Sequence, residues 1–314
     1  MSAPGHLPMR LQAAGAHLLV RMVEPEALDW SAPFFRDAVP ADAAAQSMQP
    51  YAAWKAAQNP PDPDYSDVAI IAHVARCGST LLARNIAAND RTVVLSEPPF
   101  FAALHGRLGQ LASEREALDA ALAILASWRG WAKARGKRLV LKLSSQLGPF
   151  LPLLHRQMPG ARFVLLHRDP LPVLESLARK RTSRLRAEAE GEGAGILPEL
   201  EGLDADRYLL AAASSYLRAI TAMGVLADKA PCIAYADLAA RYPEICRALG
   251  LDPADAPPWN GAINAKARGQ ARHTPYTPVP TAELDAFAAA HPALLARLQG
   301  DYHRLCAKHP MPAL

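Results

Sequence analysis

The residues whose types and spacing suit them to chemistry begin at Arg76-Cys77-Gly78-Ser79-Thr80-Leu81, between an apolar run and a helical pattern. Glycine lets the chain turn tightly there, and the N–H groups opening the next helix point outward, where an anion completes them. Arg76 adds a guanidinium beside that turn. A second set follows at Arg168-Asp169-Pro170, with Ser176 eight residues past the arginine. An arginine closing a strand and a serine two turns into the next helix can converge on one phosphate, by a bidentate fork and a hydroxyl. Taken singly, each set also has an ordinary reading, as a plain βα turn and as a helix start at Asp-Pro.

The elements that must position these groups read as alternating strands and helices. Residues 68–74 are β-branched and apolar, as a strand buried in a parallel sheet would be, and 81–86 carry no helix breaker. Further strands are expected at 92–95, 139–143, 162–167 and 232–235, with helices at 113–135, 147–157, 171–186 and 205–229. That alternation predicts an α/β fold, a three-layer parallel sheet flanked by helices. Residues 187–202 mix glycine, glutamate and proline and read as a mobile loop, either a lid near 187–203 or a solvated surface loop. Residues 1–63 read as a helical or irregular N-terminal extension packed on the main domain, 64–314. Its Phe34, Phe35, Tyr51 and Trp54 suit packing or an acceptor-pocket wall.

With 314 residues and a net charge of +4, the chain suits one large domain and an anionic small ligand, and is too weakly basic to suggest nucleic acid. Its four cysteines, Cys77, Cys232, Cys246 and Cys306, form no CxxC pair, so neither a metal site nor a disulfide framework is expected. The apolar stretch 117–128 is short for a membrane span, and a cytoplasmic enzyme is the expectation.

The 76–81 loop is not a Walker A motif: Ala72 stands where the first glycine belongs, and no lysine lies between Gly78 and Ser79. An arginine ahead of Gly-Ser-Thr-Leu-Leu resembles the 5'-phosphosulfate loop of sulfotransferases that use 3'-phosphoadenosine 5'-phosphosulfate (PAPS). Arg168-Asp169-Pro170 with Ser176 resembles their 3'-phosphate motif. Tyr235, Asp237-Leu238, Pro243 and Leu249-Gly250-Leu251 are similar to a later segment of the family, so the resemblance runs from about Asp67 to Leu251.

It implies a P-loop-like sheet with the donor's phosphosulfate on Arg76, Cys77, Gly78, Ser79, Thr80 and Leu81, and its 3'-phosphate on Arg168 and Ser176. Lys266 and Arg268, in a late basic segment, are implied as further phosphate contacts. Lys142 corresponds to the family lysine that approaches the sulfuryl group. Where some members carry a histidine base this chain has Ser144, and Glu97, in SEPPFF, resembles the glutamate base of carbohydrate and tyrosine sulfotransferases. Such a carboxylate needs a raised pKa or close alignment with the acceptor. His73, His105 and His167 are the fallback bases. The implied reaction is metal-free transfer to a hydroxyl or amine of a small molecule, leaving adenosine 3',5'-bisphosphate. The alternatives are a P-loop small-molecule kinase or related nucleotide-binding phosphotransferase, and a nucleotide sensor without turnover.

Overall fold

The computed structural model describes residues 5–40, 46–58, 62–105, 111, 113–190, 195–261 and 279–308. Strands β1 (Leu7–Ala14) and β2 (His17–Val23) form an antiparallel hairpin. After the short helix α1 (Phe35–Ala38), β3 (Gln46–Pro50) pairs antiparallel with β2 and runs into α2 (Tyr51–Ala56). This corrects the expectation of a helical or irregular extension. Met9 and Leu11 on β1, and Val20 and Met22 on β2, are buried at every second position, the period of a half-buried strand. They share one apolar cluster with the main domain, and the Trp128 indole N–H donates to the Pro8 carbonyl at 2.7 Å.

The main sheet contains β4 (Val68–His73), β5 (Thr92–Ser96), β6 (Arg138–Lys142), β7 (Arg162–His167) and β8 (Cys232–Ala234). Their order is β5-β6-β4-β7-β8, and every neighbouring pair is parallel. Helices α3 (Ser79–Ala87), α4 (Glu114–Lys133) and α5 (Leu151–Gln157) connect the first four strands, the last following a 3-10 turn at Ser145–Phe150. Every residue of β4 is buried, which explains its unbroken apolar run. The chain leaves β4 for β5 and β6 on one side and later places β7 on the other. β4 therefore sits where the strand order reverses, and a crevice opens at the carboxyl ends of the strands.

After β7 come α6 (Pro170–Arg179), α7 (Ser183–Glu190) and α8 (Arg207–Leu226), then α9 (Tyr242–Ala248), α10 (Thr281–Ala290) and α11 (Pro292–Lys308) beyond β8. The single helix expected at 171–186 is two helices, with Thr182 N–H donating to the Tyr208 hydroxyl at 2.9 Å at the break. The stretch expected to be a mobile loop begins as α7. Further on, Leu197 N–H donates to Ser214 Oγ at 2.9 Å and Leu200 is fully buried, so this part is fastened to α8. Among the described residues α8, and not 117–128, is the helix long and apolar enough by length and composition to cross a bilayer; 72% of its apolar window is buried inside the fold, as in the core helix of a domain.

Candidate active site

Two backbone observations mark the crevice. Among the described residues the non-glycine positions with positive φ are Arg76 (57°) and Glu97 (54°), each just beyond a strand end. The left-handed region costs an L-residue on the order of 1–3 kcal/mol, and such positions persist where the surroundings dictate them. Gly78 also has positive φ, 78°, and caps α3. A Cβ there would lie 2.7 Å from Leu238 Cδ1 and 2.8 Å from Tyr235 Cδ2, so both conformation and space require glycine.

Around these residues lies a cavity of about 570 Å³, a size that suits a cofactor-sized ligand. Loop residues 76–81 wall it together with Arg168 and Ser176, and Glu97 and Lys142 line it as well. All the expected site residues that are described therefore face one space. Lys266 and Arg268 lie outside the described residues. Of the fallback bases only His73 lines the cavity, while His105 lies edge-on to Phe150 and His167 packs on Tyr302.

On the phosphate side, the Arg168 Nη1 donates to the Arg76 carbonyl at 2.9 Å, and its guanidinium lies 4.2 Å from the Tyr235 ring centre. The Tyr216 hydroxyl donates to the Arg168 carbonyl at 2.8 Å, which holds the end of β7. Arg76 Nη2 donates to the Lys180 carbonyl at 3.3 Å, just past α6. Burial lowers the Arg76 pKa, with Tyr208 opposing and Arg179 assisting that shift. Cys77 is fully buried, and burial pushes its thiol up to about 12, so it is no thiolate and can offer an anion only its main chain.

On the other side, Lys142 closes β6 with 1% of its side chain exposed, and its Nζ donates to Glu97 Oε1 at 2.5 Å. The strands themselves bring the two together. Ser96 stands in register with Lys142, and Glu97 N–H donates to the Lys142 carbonyl at 2.7 Å. Burial pushes the Glu97 carboxyl up, but the charge and hydrogen bond of Lys142, helped by His73 and Arg36, outweigh it and hold the carboxyl below its usual range. Of the two requirements set for Glu97 as a base, a raised pKa is therefore not met; close alignment with the acceptor is what is left to it.

His73 has Val74 and Leu143 carbonyl oxygens at 2.8 and 2.7 Å from its two ring nitrogens. Those carbonyls favour the protonated ring. Burial, followed by the Lys142 charge, prevails and lowers its pKa to about 4. The unfolded chain thus takes up this proton first on acidification. Stability is full above pH 6.5 and drains as the pH falls toward 4, by about 3 kcal/mol in all. Chemical denaturation at stepped pH should show that loss, and His73→Gln should flatten it; an equally steep decline in the variant assigns the acid sensitivity elsewhere.

Several lining residues were not singled out as site residues from the sequence. Ser144, Ser145 and Gln146 follow β6, Tyr235 follows β8, and Arg36 comes from the N-terminal extension beside Phe34, which lines the cavity as one of the two roles expected of it, whereas Phe35, Tyr51 and Trp54 are buried in the apolar core. Tyr235 belonged to a segment already noted for its resemblance. No periodicity or spacing distinguishes Arg36, because its nearness to Glu97 arises only on folding.

No family model matches the chain, and no curated protein does. Among solved structures it is similar to the sulfotransferase domain from the curacin biosynthetic pathway, at 17% identity and a TM-score of 0.42, over 73% of this chain and 98% of that one. It is also similar to a sulfotransferase from Alicyclobacillus acidocaldarius, at 17% identity and a TM-score of 0.42, over 80% of this chain and 96% of that one.

Proposed function

We propose that the protein is a sulfotransferase that moves a sulfuryl group from PAPS to a hydroxyl or amine of a small-molecule acceptor. The observation that carries this reading is the joining of the cationic loop, the Arg168–Ser176 pair and the Glu97–Lys142 pair in one cavity at the carboxyl edge of a parallel sheet. The residues present fit such a donor. Gly78 leaves room for an anion's close approach where a side chain would collide with Tyr235 and Leu238, and the first N–H groups of α3 point into the same place.

When bound, the donor supplies the sulfuryl group and, as leaving group, a phosphate of adenosine 3',5'-bisphosphate. The main chain at 78–81 and Arg76 hold the phosphosulfate end, and Arg168 and Ser176 hold the 3'-phosphate. Glu97 orients the acceptor and takes its proton as the new bond to sulfur forms and the sulfur–oxygen bond to the phosphate breaks, the phosphate keeping the electron pair. The Lys142 ammonium balances the negative charge spread over the transferring group, a role most effective where water is excluded.

A kinase would require a cation in the place of the Walker lysine, and between Gly78 and Ser79 there is none. Thermal denaturation discriminates the two readings. Adenosine 3',5'-bisphosphate at a hundred times its Kd is expected to add about 2.7 kcal/mol of stability. ATP with magnesium should add far less. A larger shift with ATP and magnesium sinks the sulfotransferase reading.

A further inference from the structure

The N-terminal extension reaches the cavity through two side chains, Phe34 and Arg36. Their backbone is pinned to the main domain. Trp30 stacks on Trp131 with ring centres 5.7 Å apart, Phe35 meets Trp128 edge-on at 5.2 Å, and Arg84 donates to the Ser31 carbonyl. With Phe35 turned into the core, at 4% exposure, its neighbours Phe34 and Arg36 face the cavity.

Phe34 presents its ring 5.0 Å from the Lys142 Nζ, and the Arg36 guanidinium lies 5.6 Å from the centre of the same ring. The Arg36 side chain is 76% exposed, and its ion pair is a long one, 3.6 Å to its chain neighbour Asp37. The cavity wall therefore runs from the Glu97–Lys142 pair, past the Phe34 ring, to a solvent-facing cation with capacity for another anion. With Lys142 and Arg36 lying over the Phe34 ring, an acceptor ring meets it at the edge, an arrangement aromatic pairs favour. Glu97 repels a second negative charge near the reacting end, so an anionic group belongs at the Arg36 end. A carboxylate held below its ordinary pKa is a weak base, and it is matched by a phenolic hydroxyl better than by an alcohol.

Resting on the sulfotransferase reading, we infer that Phe34 and Arg36 select the acceptor, and that its class is a hydroxylated aromatic carrying a carboxylate or similar anion opposite the reacting hydroxyl. The probes are 3-(4-hydroxyphenyl)propanoate, its methyl ester and 4-methylcyclohexanol, each with labelled PAPS. The expected order of kcat/KM is acid above ester by about tenfold, the size of one charge-assisted hydrogen bond, with the alcohol far below both. Arg36→Gln should bring the acid-to-ester ratio close to one, chiefly through KM, and Arg36→Glu should invert it. Phe34→Ala should weaken both aromatic probes and narrow their lead over the alcohol. In all three variants the affinity for adenosine 3',5'-bisphosphate should match the unaltered protein, which separates acceptor selection from damage to the donor site. Equal use of acid and ester, or a ratio that Arg36→Gln leaves alone, overturns the inference while the sulfotransferase reading stands. If no probe receives label and adenosine 3',5'-bisphosphate gives no thermal shift, both fall.

Discussion

Replacing Glu97 by glutamine is expected to lower turnover by about two to four decades, the range for loss of a general base, while leaving the affinity for adenosine 3',5'-bisphosphate in place. The amide keeps an oxygen for the Lys142 ammonium and keeps the shape of the side chain, so what disappears is the capacity to take a proton. It also removes the counter-charge of an ammonium that is 1% exposed, and because Glu97 itself is 34% exposed the cost falls below the roughly 3–5 kcal/mol of breaking a fully buried pair. Turnover in the variant should therefore be measured well below its own melting temperature. Turnover equal to that of the unaltered enzyme acquits Glu97.

The second large effect concerns its partner. Lys142→Met keeps the apolar stem under Phe34 and deletes the charge that the sulfotransferase reading sets against the transferring group. A loss of about 10²–10³ in kcat/KM is expected, the magnitude seen when one preorganised electrostatic contact is removed. The pH profile gives a second, independent readout. In the unaltered enzyme Glu97 stays ionised to below the ordinary carboxylate range because the Lys142 charge and hydrogen bond overcome burial. Without them burial prevails, the carboxyl protonates at higher pH, and the acidic limb of kcat/KM should move upward. A limb that stays in place means that Lys142 does not set the ionisation of Glu97.

Much of this arrangement is legible in the amino-acid sequence itself. The parallel strands could be read because burial on both faces forces unbroken apolar runs, and β4 is the extreme case. Gly78 and the cations flanking it could be read because anion sites demand a small residue at a helix start. Glu97 and Lys142 were legible only through family resemblance. Their pairing depends on the register of β5 against β6, which is a long-range property, and so does the lowered pKa of the carboxyl. The N-terminal sheet was missed although Met9, Leu11, Val20 and Met22 alternate as strands should. Short apolar clusters among prolines obscured that period. The break between α6 and α7 was missed because the basic run hid it, and it is marked by a contact to Tyr208, which lies beyond the next connection.

If the proposed activity holds, one feature of the framework governs how acceptor choice can change. The spacing of Glu97 and Lys142 is written into main-chain hydrogen bonds between adjoining strands, whereas Phe34 and Arg36 ride on a separate ribbon bolted to Trp131 and Trp128 through Trp30 and Phe35. Changing Phe34 and Arg36 while keeping Trp30 and Phe35 leaves those bolts and the strand ends untouched. On the sulfotransferase reading, a new acceptor can therefore be recruited by altering Phe34, with the strand-held Glu97–Lys142 pair left in place.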